Sequence, residues 1–310
     1  MMLFGSSVEL LKPLYEELKW EVFSCDYVQA DETTVPVINR EKHRADKEYL
    51  WMVRSVMEKL VIFHYDGGSR AGVVIESLAN QYNFKGYLQC DGFAGYKTAF
   101  KTNPDVRLLN CLVHIRRHFE QALDENREMA QHALTQIQHI YKIERQCDEA
   151  GLSYDERRQT RQELSRPIME AMKVWMETEG IKYSPSSLTG KAITYAYTKW
   201  DNIMRCLDDG RLYRDNNLAE NVQRPITLSR KNFLFCGNHE AAANMSVICS
   251  LLATCKAHDV NPRNYLNDVI AQMPYHKNAA HEILLDLLPH KWKLKHPESI
   301  LTKQHGVSDN

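Results

Sequence analysis

The stretch "DYVQADETTVPVI", residues 26–38, decides the fold class. It is rich in β-branched residues and reads as a strand. Successive side chains of a strand point to opposite faces, so Tyr27, Gln29 and Asp31 share one face, against Val28 and Ala30 on the other. A carboxylate among apolar strand positions costs free energy unless it is paired or holds a cation, which makes Asp31 a candidate functional residue.

The neighbouring segments extend the pattern. Upstream, "VELLKPLYEELKWEVF" (8–23) has helical spacing, with Leu10, Leu11, Leu14 and Leu18 on one side and Pro13 disturbing the first turn. Downstream, "YLWMVRSVM" (49–57) and "KLVIFHYD" (59–66) are two more strands, the second closed by Gly67-Gly68. "AGVVIESLANQYN" (71–83) is a short amphipathic helix. "KGYLQCDGFAGY" (85–96) is a strand that ends in a glycine-rich turn, and "DVRLLNCLVH" (105–114) is another strand. Three strands, a helix, a strand and another strand make an α/β domain with a mixed sheet flanked by helices.

Near residue 115 the texture changes. From "IRRHFEQALDENREMAQHALTQIQHIYKIERQ" to "LTGKAITYAYTKWDNIMRCL" the chain is charged and helical in period, which reads as a helical insertion over 116–204. The expected organisation is an opening helix and linker (1–25), a core in two segments (26–115 and 205–275), the insertion between them, and a tail (276–310). That tail has no recognisable pattern beyond Pro289 and Trp292. "HEAAANMSVICSLLATCKAH" (239–258) reads as a small-residue core helix with Asn238 as its cap.

Composition excludes several classes. At 310 residues the chain can bury a sizeable core, and it contains no run of about 18 apolar residues that would span a membrane. Its start has no apolar stretch of signal-peptide length. Eight cysteines without a repeated spacing fit reduced thiols in a cytoplasmic protein better than a disulfide framework. The formal net charge of −1 does not favour nucleic acid, yet "HIRRHF" and "RPITLSRK" concentrate basic residues locally.

Two further carboxylates join Asp31 as candidates. Asp91 ends a strand directly before Gly92, and the carboxyl ends of strands are where open α/β sheets place ligands. Glu220 stands at the join of "RDNNLAENVQRPITLSRKNFLF" (214–235), whose first half is acidic and amide-rich and whose second half is basic and aromatic. Asn217 with Glu220 three residues later also reads as a capping box, and Asp91-Gly92 also reads as a plain turn. Asp26, Glu32 and Asp66 compete for the same role, Asp66 most strongly because it too ends a strand before glycine. Spacing does not choose among them.

Several blocks, in order, resemble the DDE transposases of the insertion-sequence sixty-six family, the TnpC type. "VQADETTVPV", "LQCDGFAGY" and "DNNLAENVQRPITLSRKNFLF" are similar to its three catalytic segments; "CLVHIRRHF", "SLTGKAITYAYTKW" and "LLPHKW" also match. The resemblance covers about residues 8–295 and implies an RNase H-like core interrupted by a helical insertion. It implies Asp31, Asp91 and Glu220 as the catalytic triad of metal-dependent phosphodiester cleavage and DNA strand transfer. There are two departures. Asn221 stands where the family usually has arginine, and Met1 falls just before the core, so the DNA-recognition segments that the family carries ahead of it are expected to be missing or on another chain.

The implied chemistry suits the residue types. In-line displacement at phosphorus uses two metal ions about 3.5–4 Å apart, and Mg²⁺ (or Mn²⁺) prefers carboxylate oxygens. Asp31 would bridge both ions, with Asp91 and Glu220 each completing one site. Arg224, Arg230 and Lys231 are candidates for DNA phosphates, with Arg116 and Arg117 as weaker ones on what also reads as a solvated helix face. Arg224 reads equally as an i,i+4 ion-pair partner of Glu220. The implied partners are double-stranded DNA, as transposon ends and target, and a second copy or accessory transposition proteins; no membrane is involved. Cys111, His114 and His118 form C-x2-H-x3-H, but a structural zinc needs four ligands and only Cys90 offers itself nearby. Two rival functions remain, a metal-dependent nuclease or resolvase on the same core and an inactive remnant that only binds DNA or a partner transposase.

Overall fold

The computed structural model describes residues 2–276 and 279–301. Helix α1 (Met2–Ser24) leads into strands β1 (Tyr27–Asn39), β2 (Arg44–Ser55) and β3 (Val61–His64). Then follow α2 (Val73–Gln81), β4 (Gly86–Cys90), α3 (Ala94–Ala99) and β5 (Val106–Asn110). A helical run comes next: α4 (Leu112–Ala122), α5 (Arg127–Glu149), α6 (Tyr154–Thr160), α7 (Arg166–Gly180) and α8 (Leu188–Met204). The chain finishes with α9 (Asn217–Phe233), α10 (His239–Ala257), α11 (Pro262–His276), α12 (His281–Asp286) and α13 (Pro289–Lys295).

The five strands form one mixed sheet of order β3-β2-β1-β4-β5, with helices flanking it. The chain divides into two compact units. One comprises residues 1–87, 98–106 and 218–310, and the other residues 88–97 and 107–217.

In the first unit β1 and β2 pair antiparallel along their whole length, from Val28 opposite Ser55 to Asn39 opposite Arg44. β2 begins five residues earlier than its apolar run suggests. Backbone pairing to β1 carries the polar "RADKE" segment into the sheet although its outer residues are exposed. Helix α1 also starts earlier than its periodicity indicates, so Pro13 lies inside the helix rather than in its first turn. The apolar stripe of Val8, Leu11, Leu14, Leu18 and Val22 is fully buried, and that packing carries the helix past the hydrogen bond that proline cannot donate.

β3 lies at an edge of the sheet, where backbone groups lack a neighbouring strand. Helix α10 supplies the partners. Ser250 Oγ accepts from Phe63 N–H at 2.8 Å, and Thr254 Oγ1 accepts from Val61 N–H at 3.1 Å while donating to the Val61 carbonyl at 3.1 Å. The two hydroxyls stand one helical turn apart and their targets two strand residues apart, so the two periods meet. The small residues of "HEAAANMSVICSLLATCKA" permit this close approach, and Asn238 caps the helix by accepting from Ala241 N–H at 2.7 Å, as the sequence suggests.

The segment after residue 275 contains two short helices rather than a patternless tail. Trp292 on α13 is buried, donates from its indole N–H to Asp268 at 2.6 Å and meets Tyr265 edge-on. Helices of 6 and 7 residues are too short to display a period.

The second unit is organised around a buried charge. Glu144 on α5 receives a two-pronged contact from Arg161, at 2.9 and 2.7 Å, and further contacts from Arg214 and Arg157. Arg161 is fully buried and also donates to the carbonyls of Cys206 and Asp209, at 2.9 and 2.8 Å. Burial alone would raise the Glu144 pKa, but the Arg161 hydrogen bond and the Arg214 and Arg161 charges overcome it and hold the group at about 2. Helix α8 is capped twice. Ser187 Oγ accepts from Gly190 N–H at 2.9 Å, and Glu125 accepts from the N–H groups of Leu188 and Thr189 at 2.9 and 3.1 Å.

Two outcomes follow from these charges. Glu144→Ala leaves Arg161 and Arg214 buried without their counter-charge, and a loss of about 3–5 kcal/mol is expected in denaturant unfolding. The second outcome concerns the first unit, where His64, His258 and His290 are each lowered to about 4, chiefly by burial. Their unfolded pKa is about 6.5, so the unfolded chain takes up these protons first. Their stabilising contribution is complete above about pH 6.5 and is lost as pH falls toward 4. Urea midpoints measured between pH 7.5 and 4.5 should therefore decline, and His258→Phe should flatten the decline.

Candidate active site

Helix α9, which bears Glu220, is held at its start by two side chains from outside it. Asp215 Oδ1 accepts from Asn217 N–H at 3.1 Å. Gln29 Oε1, from a fully buried side chain on β1, accepts from Ala219 N–H at 3.1 Å. The first N–H groups of a helix have no intrahelical acceptor, so β1 provides part of the cap. Asn217 is therefore the first residue of the helix rather than the residue that caps it, and the capping box read from "NLAE" is displaced. Glu220, next to Ala219, is half-buried, with Oε1 shielded from solvent.

Asp31 lies two residues beyond Gln29 on β1 and is half-buried, with Oδ1 accepting from the Glu32 N–H at 2.9 Å. Its rivals have other places. Glu32 has a buried side chain and is gripped by Arg70 through Nε and Nη2, at 2.9 and 2.7 Å. Arg70 in turn lies over the ring of Tyr49. Asp26 is exposed, with its carbonyl accepting from Tyr87 N–H at 2.8 Å. Asp66 is exposed in the turn after β3, with its carbonyl accepting from Ser69 N–H at 3.0 Å.

In the second unit Asp91 follows β4, and its Oδ1 accepts from Phe93 N–H at 2.8 Å across Gly92, whose φ is +93°. Helix α8 is seated on this turn. Tyr195 donates its hydroxyl proton to the Asp91 carbonyl at 2.9 Å, and the stem of Lys199 crosses Gly92. A side-chain carbon at position 92 would stand 2.7 Å from Lys199 Cε, so a substitution there would push the lysine stem aside, and the positive φ itself favours glycine. The triad expected from the sequence is thus divided, with Asp31 and Glu220 in the first unit and Asp91 in the second.

Two family descriptions match the chain: "Transposase IS66 family" over residues 2–244 and "IS66 C-terminal element" over residues 250–290. The chain belongs to the IS66 transposase family. It is similar to three proteins of Sinorhizobium fredii (strain NBRC 101917 / NGR234), each described as uncharacterized. Protein y4hP is 28% identical over 93% of this chain and 55% of its own length. Protein y4qI is 30% identical over 79% of this chain and 47% of its own, and y4jD 29% identical over 91% and 57%. The chain spans about half the length of these curated relatives.

The basic residues of this IS66-family chain fall into two groups. Arg224, one turn beyond Glu220 on α9, is exposed and makes no ion pair with any described residue, so the i,i+4 pair with Glu220 is not formed. The side chains of Arg230 and Lys231 lie outside the described residues. On α4, Arg116 and Arg117 are exposed, and Arg116 is paired with Glu120 at 2.8 Å across one helical turn, as on an ordinary solvated face.

The C-x2-H-x3-H residues do not gather as a metal site among the described residues. Cys111 is buried at the start of α4, where burial pushes its thiol up to about 12. His118 packs against the Tyr195 ring with centroids 4.0 Å apart. The described residues contain one set of three ligand-type side chains whose ligand atoms all lie within 4.8 Å of one another: Glu17, Glu21 and His281 in the first unit. Within it Glu17 and His281 form an ion pair of 2.7 Å.

Sequence reading alone missed Gln29, because glutamine on a strand carries no motif. Its contribution is measurable. Gln29→Leu leaves the Ala219 N–H buried without its acceptor, and a loss of about 1–3 kcal/mol is expected, seen as a lower urea midpoint at unchanged slope.

Proposed function

We propose that this chain carries a DDE active site on an RNase H-like core and performs metal-dependent phosphodiester cleavage and strand transfer on double-stranded DNA. Membership of the IS66 transposase family supports the reaction class. The observation that carries the site is the hydrogen bond from Ala219 N–H to Gln29 Oε1, buried within the first unit. It ties the first turn of α9 to β1, so that Glu220 follows directly on the residue that docks and Asp31 stands two strand positions from the residue that receives it. The mixed five-stranded sheet with a helical run after β5 supports the RNase H-like reading.

In this reading Asp31, Asp91 and Glu220 are the metal ligands. Their donor set is three carboxylates without a thiolate, which fits Mg²⁺ or Mn²⁺. Bound there, two such ions supply charge stabilisation for in-line displacement at phosphorus. The chain's own contribution is placement. Asp31 is presented by a strand paired along its length, Asp91 by a turn that Gly92 permits, and Glu220 by a helix capped from β1. Arg224, exposed and without an ion-pair partner among the described residues, is available to a backbone phosphate on the same helix as Glu220.

The rival acids make the reading testable. Asp31→Asn removes metal-binding charge at nearly constant shape and should abolish Mn²⁺-dependent nicking of plasmid DNA and the joining of end oligonucleotides, with unchanged thermal stability. Asp66→Asn, on an exposed turn, should retain near-parental activity. A dead Asp66→Asn with an active Asp31→Asn would overturn the choice of acids. Nicking without joining would assign the chain to the nucleases instead.

A further inference from the structure

Helix α8 brings a lysine, Lys199, to the turn that presents Asp91. Tyr195 and Lys199 stand four residues apart on α8 and so on one face of it. Tyr195 is fastened to the Asp91 carbonyl, and the Lys199 stem lies across Gly92, where a Cβ would stand 2.7 Å from its Cε. The lysine is half-buried, and its ammonium sits 4.7 Å from the centre of the Tyr195 ring. It makes no hydrogen bond and no ion pair with any described residue. The Asp91 carboxylate does not take it, and one of that group's oxygens is already used by the Phe93 N–H.

A half-buried ammonium without an anionic neighbour in contact has given up water without an ion-pair partner. Burial pulls its pKa below the ordinary lysine value, while the nearby Cys90 and Asp91 act in the opposite direction. A ring face returns only part of the lost hydration. What the position lacks is an anion, and it lacks it next to a carboxylate read here as a metal ligand. A phosphodiester brought to such metals still carries non-bridging oxygens in need of a cation.

We propose that Lys199 is a DNA-phosphate contact of the active site, its ammonium taking a non-bridging oxygen of the phosphodiester presented at Asp91. This rests on the reading of Asp91 as a metal ligand given above. The helical run between β5 and α9 then has a part in substrate binding through α8. Tyr195 is a positioning residue, since it holds the turn and the ammonium in register without reaching the DNA itself.

Salt dependence of DNA binding separates this role from simple packing. Each phosphate contact adds about 0.9 to the slope of log affinity against log salt. Fluorescence anisotropy with a duplex oligonucleotide, in the absence of divalent cations, should show the slope reduced by about one for Lys199→Met and Lys199→Gln. Lys199→Arg should keep the parental slope. The glutamine variant retains a polar stem over Gly92 and guards against a methionine variant that fails to fold. A lysine that only packs would shift the melting temperature and leave the slope alone, and an unchanged slope in both neutral variants overturns the contact. A parent chain that binds DNA but neither nicks nor joins it with Mn²⁺ would overturn the catalytic reading alone, because the slope is read without metal.

Discussion

One buried hydrogen bond organises the candidate site in the first unit: Ala219 N–H to Gln29 Oε1. The free N–H groups at a helix start need acceptors, and a buried helix start cannot take them from water. Here the acceptor is a side chain on β1, 190 residues earlier in the chain. Because Gln29 and Asp31 share a strand face and Ala219 and Glu220 share a helical turn, satisfying one donor also sets strand and helix in register. The docking of α9 on β1 is thus a by-product of hydrogen-bond accounting in the core.

The same economy of partners recurs at the sheet edge. β3 has backbone groups that no strand pairs, and α10 answers them with Ser250 and Thr254. A helix of larger side chains would stand too far off to do so. In the second unit the corresponding role falls to charge, where Glu144 collects Arg157 and Arg161 from one helical stretch and Arg214 from a distant one. Such a network is costly to break because each member leaves the others buried and charged. Arg214 lies just ahead of Asp215, whose side chain accepts from the first residue of α9.

Lys199 illustrates how the helical run bears on the turn it covers. Glycine at position 92 is favoured by a positive φ, and the lysine stem lies directly over it. The carboxylate of Asp91 and the ammonium of Lys199 are presented by two elements joined through the Tyr195 hydrogen bond to the Asp91 carbonyl. Cation and acid remain near each other without forming an ion pair, which leaves each available for a ligand of opposite charge.

Much of this was legible in the residues themselves. Alternation in 26–38, the apolar runs at 49–57 and 59–66 and the glycine-closed strand at 85–96 mark four of the five strands; the fifth, expected over 105–114, ends at Asn110, and its last residues open α4 instead. Helical texture after residue 115 and the cap at Asn238 were equally plain. Local signals did not settle boundaries or partners. Pro13 lies mid-helix because tertiary packing carries α1 past it, β2 starts early because pairing needs no apolar side chain, and the two short terminal helices have no period to display. Asp31, Asp91 and Glu220 could be singled out by residue type, position and resemblance. That Glu32 belongs to Arg70, that Gln29 caps α9 and that Lys199 crosses Gly92 are matters of contact between residues far apart in the chain, and only the folded chain decides them.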